Sequence, residues 1–421
     1  MDNCEASLPA KTETKFFYGY IIVLAALLMQ TVISGPRTSF GVFFKPLITE
    51  FGWTRALVSG AFSMSTIVQG LLGIAMGGLN DRLGPRVVMT TCGFLVGSGF
   101  MLLSLTNAAW QLYLFYVLMI GMGMGGVYVS LMSTVARWFI DRRGMMTGIV
   151  AAGAGIGGLI APPIINWLIF KYEWRTSYLM LGGATLAIIT LTAQCLKRDP
   201  AQIGLVPYGK GKGKEKGLDL ITTGISAKEA ISTRQFWMSI TMLFCYGFAI
   251  FTIMIHIVPH VTDLGISATT AANVLAVLGG GLLAGGIILG TVADRIGNRQ
   301  AFTICFVLIS AAVLWLLSIK EVWMFYLCAA ILGLGGGGGA TLVSLLAADL
   351  FGMRSHGLIL GIYSCGYTIG AAAGPLIAGY IFDASSNYQC AFLLSAALGI
   401  AGLLLSAILR PVKRKAPPQG Y

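Results

Sequence analysis

Twelve long apolar stretches separated by short polar segments make up most of this chain. They lie near 17–44, 57–79, 87–106, 110–135, 145–170 and 175–196, then near 237–262, 269–292, 300–318, 322–347, 357–382 and 388–409. A helix needs about 20 apolar residues to cross a hydrocarbon core roughly 30 Å thick. In lipid the backbone must satisfy its own hydrogen bonds, so only helices and closed barrels can span. Continuous runs of this length exclude barrel strands, which alternate over about ten residues. An all-α membrane protein with twelve transmembrane helices is expected. No small-residue cleavage site follows the first apolar stretch, so it reads as a retained helix rather than a leader.

The pattern repeats. The segment after the second stretch reads GGLNDRLGPR, and that after the eighth reads GTVADRIGNR. Both contain GxxxDRxGxR: Gly77, Asp81, Arg82, Gly84 and Arg86, then Gly290, Asp294, Arg295, Gly297 and Arg299, at an offset of 213 residues. Pro46 and Gly52 match Pro259 and Gly265, and Trp110 and Tyr113 match Trp323 and Tyr326, at the same offset. A colinear series of this kind points to duplication. The expected organisation is an N-terminal tail (1–16), a six-helix bundle (17–197), a linker (198–236), a second, pseudo-symmetric six-helix bundle (237–410) and a C-terminal tail (411–421). The linker holds a Lys/Gly-rich run. After it, SAKEAISTRQFW reads as a short amphipathic helix at the membrane interface.

Composition sharpens this. The chain of 421 residues is 56% hydrophobic and only 10% charged, against about 25% charged in soluble domains. That excludes a soluble enzyme. A net charge of +12 would suggest nucleic acid in a soluble protein. Here the side of the bilayer matters first. With the N-terminus in the cytoplasm, only Lys45, Arg55, Lys171, Arg175 and Lys320 of 28 Lys and Arg fall outside, and Arg37 lies within a helix. The asymmetry fits the positive-inside rule with both termini cytoplasmic. A multi-pass plasma-membrane protein, of a bacterial inner membrane, is expected, without a nucleic-acid partner. Eight scattered cysteines show no metal-binding spacing, and neither cofactor nor metal is expected. No nucleophile–base set is visible, so no enzyme activity is expected.

With its duplicated DR segments, the chain resembles the major facilitator superfamily from about residue 17 to 410. PRTSFGVFFKPLITEFGWTR (36–55), RWFIDRRGMMTG (137–148), DPAQIGLVPYG (199–209) and HIVPHVTDLGIS (256–267) resemble more closely the monocarboxylate transporter family and its bacterial relatives, including the oxalate/formate exchangers. The resemblance implies a central site between two bundles and alternating access by rocking. It also implies a cation after a proline in helix 1, which Arg37 after Pro36 matches. The cations that such transporters carry in helices 8 and 11 fall here at Gly286 and Tyr367. The expected function is therefore secondary transport of a small organic anion. Export or uniport of a neutral or cationic hydrophobic compound is the alternative, and a nutrient sensor on a transporter fold is a third reading.

Arg37 carries most of the chemistry. A charge inside the bilayer costs at least ~2.5 kcal/mol, so it faces a cavity or a partner, and a guanidinium binds a carboxylate bidentately. Substrate contacts are expected from Arg37, Tyr128, His256, Tyr363, Tyr367 and Asn273. Gating contacts on the cytoplasmic side are expected from Gly77, Asp81, Arg82, Gly84, Arg86, Gly290, Asp294, Arg295, Gly297, Arg299, Arg142 and Arg143. Packing and membrane anchoring are the plainer roles for each. Asp and Glu are absent from every helix centre, with Glu50, Asp263 and Asp383 at outer ends. Coupling to a co-transported proton would then use His256, or Arg37 with the substrate's own proton, or be absent. The functional unit is expected to be a monomer.

Overall fold

The computed structural model describes residues 17–140, 142–208, 225–319, 321–352 and 356–409. The first bundle comprises α1 (Gly19–Thr38), α2 (Phe40–Phe51), α3 (Arg55–Leu83), α4 (Pro85–Leu103), α5 (Ala109–Trp138) and α6 (Arg143–Ala193). A five-residue α7 (Ala227–Ile231) precedes the second bundle: α8 (Arg234–Asp263), α9 (Ala268–Ile296), α10 (Asn298–Leu316), α11 (Val322–Phe351), α12 (His356–Ser385) and α13 (Gln389–Ile408). Among the described residues eleven helices are long and apolar enough to cross a membrane. One of them, within α6, is two helices joined at Glu173, whose φ of 67° and ψ of 165° are not helical.

The duplication is visible in the backbone. The bounds of α3, α4 and α5 recur in α9, α10 and α11 at the 213-residue offset. So do the signals that set them. Gly52 (φ 65°) and Gly265 (φ 82°) supply the left-handed residue after the first helix of each bundle, a conformation costly for residues with a Cβ. Thr54 and Ser267 then cap the next helix, accepting from the N–H of Leu57 (3.2 Å) and Thr270 (3.1 Å). Side-chain oxygens at this position satisfy a donor that the helix cannot.

Symmetry fails in the middle of the first membrane helix. α8 runs unbroken, whereas its counterpart breaks at Ser39, between α1 and α2. Pro36, which removes a backbone donor and crowds the preceding turn, has Ala249 at the matching position. The apolar stretch expected to end at 44 therefore continues, bent, to Phe51. The helix expected from Ser226 to Trp237 is also shorter than its pattern. Ser226 and Glu229 form a capping box for α7, and Thr233 accepts from Phe236 to begin α8. A second cap inside the stretch outweighs its periodicity.

The first part of the linker docks on the first bundle. Ile140 donates to the Tyr208 carbonyl and Tyr208 to that of Trp138, each at 3.0 Å. Trp138 Nε1 reaches the Lys197 carbonyl at 2.9 Å. These contacts mark the linker side of the molecule; the opposite end is called the far side below. The two bundles meet along α3 against α12, α6 against α9, and α2 against α8. Glycines permit this approach: a methyl on Gly41 would fall 2.7 Å from the Ile255 carbonyl, and one on Gly155 2.7 Å from Leu283. Without Cβ atoms helix backbones can touch and slide.

Candidate functional site

Arg37 occupies the last turn of α1, immediately before the break. Its Nη2 donates to Thr66 Oγ1 of α3 at 3.2 Å, and Nη1 lies 3.8 Å from Met124 Sδ of α5. The guanidinium stands 5.5 Å from the centre of the Phe62 ring. Tyr116 of the same bundle and Tyr367 of the other are its electrostatic neighbours. Among the described residues no carboxylate pairs with it, whereas Arg55 and Arg175 each hold one at 2.8 and 2.6 Å.

Around this cation the wall is aromatic and comes from both bundles. Tyr116 is buried, packs on Phe40 at 4.8 Å, and its hydroxyl has no hydrogen-bond partner among the described residues. Phe62 meets Phe251 of α8 at 6.0 Å, Phe251 meets Tyr367 of α12 at 5.9 Å, and Tyr367 stacks on Tyr246 at 5.8 Å. A guanidinium held by neutral partners and an unspent hydroxyl suit a ligand with negative oxygens. The aromatic faces suit a small organic body.

The other candidates distribute differently. Tyr367 joins Arg37. Tyr128 is 56% exposed on α5, and Asn273 is half-buried on α9; neither has a hydrogen bond to the Arg37 group. Tyr363 is fully buried towards the linker side, bonded to the Ser239 hydroxyl and packed on Phe236 and Phe351. His256 belongs to the far side, hydrogen-bonded to Tyr388 Oη at 3.0 Å and to the Pro375 carbonyl at 2.9 Å. The side-chain contacts of Tyr363 and His256 are thus separate from those of Arg37. Thr66, Met124, Phe62 and Tyr116, which complete the Arg37 group, carry no motif. Only a helical-face comparison with Arg37 could have found them.

In the DR segments, Gly84 (φ 82°) and Gly297 (φ 94°) make the matching turns. Arg86 donates to the Gln194 carbonyl at 2.6 Å, and Arg299 to the carbonyls of Ser406, at 3.2 Å, and Ala407. These bonds tie the last membrane helix of each bundle to α4 in the first and α10 in the second, and lie within a bundle. Arg82 and Arg295 are exposed, as is Arg142 with φ of 60°. Gly290 on α9 is 3.6 Å from Thr341 across a would-be methyl. The side chains of Asp81, Asp294 and Arg143 and the side-chain position of Gly77 lie outside the described residues.

The described polar contacts between the bundles gather on the far side. Arg55 at the start of α3 binds Asp263 of α8, with Nη1–Oδ2 at 2.8 Å and Nη2–Oδ1 at 2.9 Å, and donates to Tyr388 Oη at 2.6 Å. Its guanidinium lies 3.6 Å above the Phe382 ring. Asn166 reaches Thr269 Oγ1 at 3.1 Å nearby. Close packing across the interface extends inward to Gly70 against Thr368. Gly70 is 13 residues, roughly 20 Å, from the linker-side end of α3.

Two helical bundles built on one internal repeat, with helices long and apolar enough to span a bilayer, are the architecture of a membrane transporter. A family model described as Major Facilitator Superfamily matches residues 26–280 and 244–420, and the chain belongs to that superfamily. It is 28% identical to the oxalate:formate antiporter of Oxalobacter formigenes, over 95% of this chain and 94% of that one. It is 24% identical to monocarboxylate transporter 13 of Rattus norvegicus, over 91% and 87%. Among solved structures, the fold matches a bacterial homolog of the human lysosomal transporter Spinster in an inward-facing, unoccupied conformation. That match has a TM-score of 0.69, 17% identity and 95% coverage of both chains.

Proposed function

We propose that this chain is a secondary transporter for a small, monocarboxylate-like organic anion, with Arg37 as the anion-binding charge. The observation that carries the reading is a cation held between the bundles with no carboxylate partner among the described residues. An unpaired charge away from water is costly, and a carboxylate on the guanidinium fork would offset that cost with two charge-assisted bonds. Tyr116 and Tyr367 would add hydroxyl donors. The likeness to the oxalate:formate antiporter and to monocarboxylate transporter 13 supports the same substrate class.

In this reading the linker side faces the cytoplasm and the far side faces out, so the conformation is closed outward. Rocking would break the Arg55 contacts, and each chain would work as a monomer in the plasma membrane, because both halves of the site come from one chain. A neutral or cationic hydrophobic solute is the second reading. It is favoured by the Phe62, Phe251, Tyr246 and Tyr367 wall but opposed by the charge of Arg37. Proteoliposome uptake of labelled oxalate, formate and lactate decides between them. Arg37→Ala should weaken carboxylate binding by about 30-fold or more, as when one partner of a buried pair is truncated. Unchanged uptake in that variant would sink the assignment, and transport confined to lipophilic cations would favour the second reading.

A further inference from the structure

One run of hydrogen bonds on the far side has every donor and acceptor determined by chemistry. The Pro375 carbonyl can only accept, so His256 Nε2, 2.9 Å away, carries a hydrogen. Arginine can only donate, so Tyr388 Oη accepts from Arg55 Nη1 at 2.6 Å. The Tyr388 proton is then free for His256 Nδ1 at 3.0 Å. Burial holds the Tyr388 hydroxyl well above the usual phenol range, so that proton stays in place. Of these bonds, the one from Tyr388 to Nδ1 requires a neutral imidazole, because a protonated ring carries a hydrogen on both nitrogens. Arg55, the first link, also carries the ion pair that joins the bundles.

The internal repeat explains why the latch crosses between bundles. Glu50 and Asp263 are equivalent, and so are Arg175 and Tyr388, at the 213-residue offset. Glu50 pairs with Arg175 inside the first bundle, at 2.6 Å. In the second bundle a tyrosine stands where that arginine would be, so Asp263 takes its cation from Arg55 of the first. The same tyrosine reports the state of His256 to Arg55.

We propose that His256 is a proton-binding site whose protonation releases the far-side latch between the bundles. A proton added at Nδ1 turns that atom from acceptor to donor, so it points at a hydroxyl hydrogen that now lacks an acceptor. It also places a second cation beside Arg55 within a buried site. Both effects disfavour the arrangement that holds Arg55 between Tyr388 and Asp263, and separation of the bundles lets water reach the imidazolium. The charged and titratable groups around His256 are Arg55 and Lys45 from the first bundle, His260 and Asp263 on α8, and Asp383 and Tyr388 beyond. Phe44 closes the remaining side, its ring 5.3 Å from the imidazole. The inference is independent of which solute is carried.

The test is a cross-bundle distance measured against pH. Spin labels at Leu105 and Leu264, exposed in far-side loops of the two bundles, would be read in lipid nanodiscs, with Cys4, Cys365 and Cys390 replaced by serine. From about pH 8 to about pH 4, through and below the range where a free histidine titrates, the separated population should rise roughly tenfold. His256→Gln keeps a donor and an acceptor in place without titrating, and its distance should stay short throughout. His260→Gln should respond as the parent does. A parent that stays closed, or a His256→Gln variant that opens with acid, would overturn the proposal and move any response to Asp263 or Asp383. Should His256→Gln fail to fold, Tyr388→Phe removes the proton that Nδ1 accepts. Its midpoint should move to higher pH, and an unmoved midpoint counts against His256.

Discussion

The carboxylate of Asp383, at the end of α12, accepts hydrogen bonds from the backbone N–H groups of Arg55 at 2.8 Å and Ala56 at 2.7 Å, the first residues of α3 in the other bundle. Asp383 thus caps a helix to which it has no nearby chain connection. A negative charge there also meets the positive end of the helix dipole.

Removal of that cap should loosen the far side without unfolding either bundle, since Thr54 still caps α3 locally. A lost cap is worth about 1 kcal/mol, or roughly fivefold in population. Asp383→Ala should raise the separated fraction by about that factor in a cross-bundle distance measurement.

Tyr116 should separate stability from binding. Its buried hydroxyl has no described partner, and an unsatisfied buried group costs about 1–3 kcal/mol. Tyr116→Phe should therefore leave the thermal midpoint unchanged or raised while weakening carboxylate binding, by about tenfold if one hydrogen bond is lost. A variant with lowered stability and unchanged affinity would show the hydroxyl to be structural.

Close approach of α6 and α9 rests on Gly158 and Gly279, where a methyl on Gly279 would clash with the Gly158 backbone. Backbone cannot give way as a side chain does. Gly279→Ala should disfavour the packed arrangement by about 1–3 kcal/mol, the usual cost of overpacking. The expected signature is a longer inter-bundle distance at unchanged helix content.

Arg86 and Arg299 should behave as a matched pair. Each donates to carbonyls at the end of the sixth helix of its own bundle. Arg86→Ala and Arg299→Ala are expected to lower stability by similar amounts, on the order of 1 kcal/mol, seen as a shift of a few degrees in thermal unfolding. A large change in the cross-bundle distance with no loss of stability would instead indicate a gating role.

Most of the architecture was legible in the residue pattern because membrane helices announce themselves by length and apolarity, and because a duplicated chain states its landmarks twice. Arg37 was legible too, as the single cation within an apolar stretch. Its surroundings were not. Thr66 lies on α3 and Tyr116 and Met124 on α5, and their convergence on Arg37 depends on how these helices rotate and tilt when packed. The break at Ser39 was only hinted at by Pro36. A proline in a helix signals a kink but not its size or position.

The repeat also carried a clue that residue types alone could not resolve. Glu50 and Asp263 read alike as acidic outer ends, yet one binds within its bundle and the other across to Arg55. By itself the sequence determined the helices, their duplication, the asymmetry of charge and the lone intramembrane cation, because burial in lipid constrains every residue of a spanning segment. Only the tertiary structure decided which polar ends meet. Arg55, Asp263 and the segment from Asp383 to Tyr388 are far apart along the chain, and their partners depend on which faces the two bundles bring together.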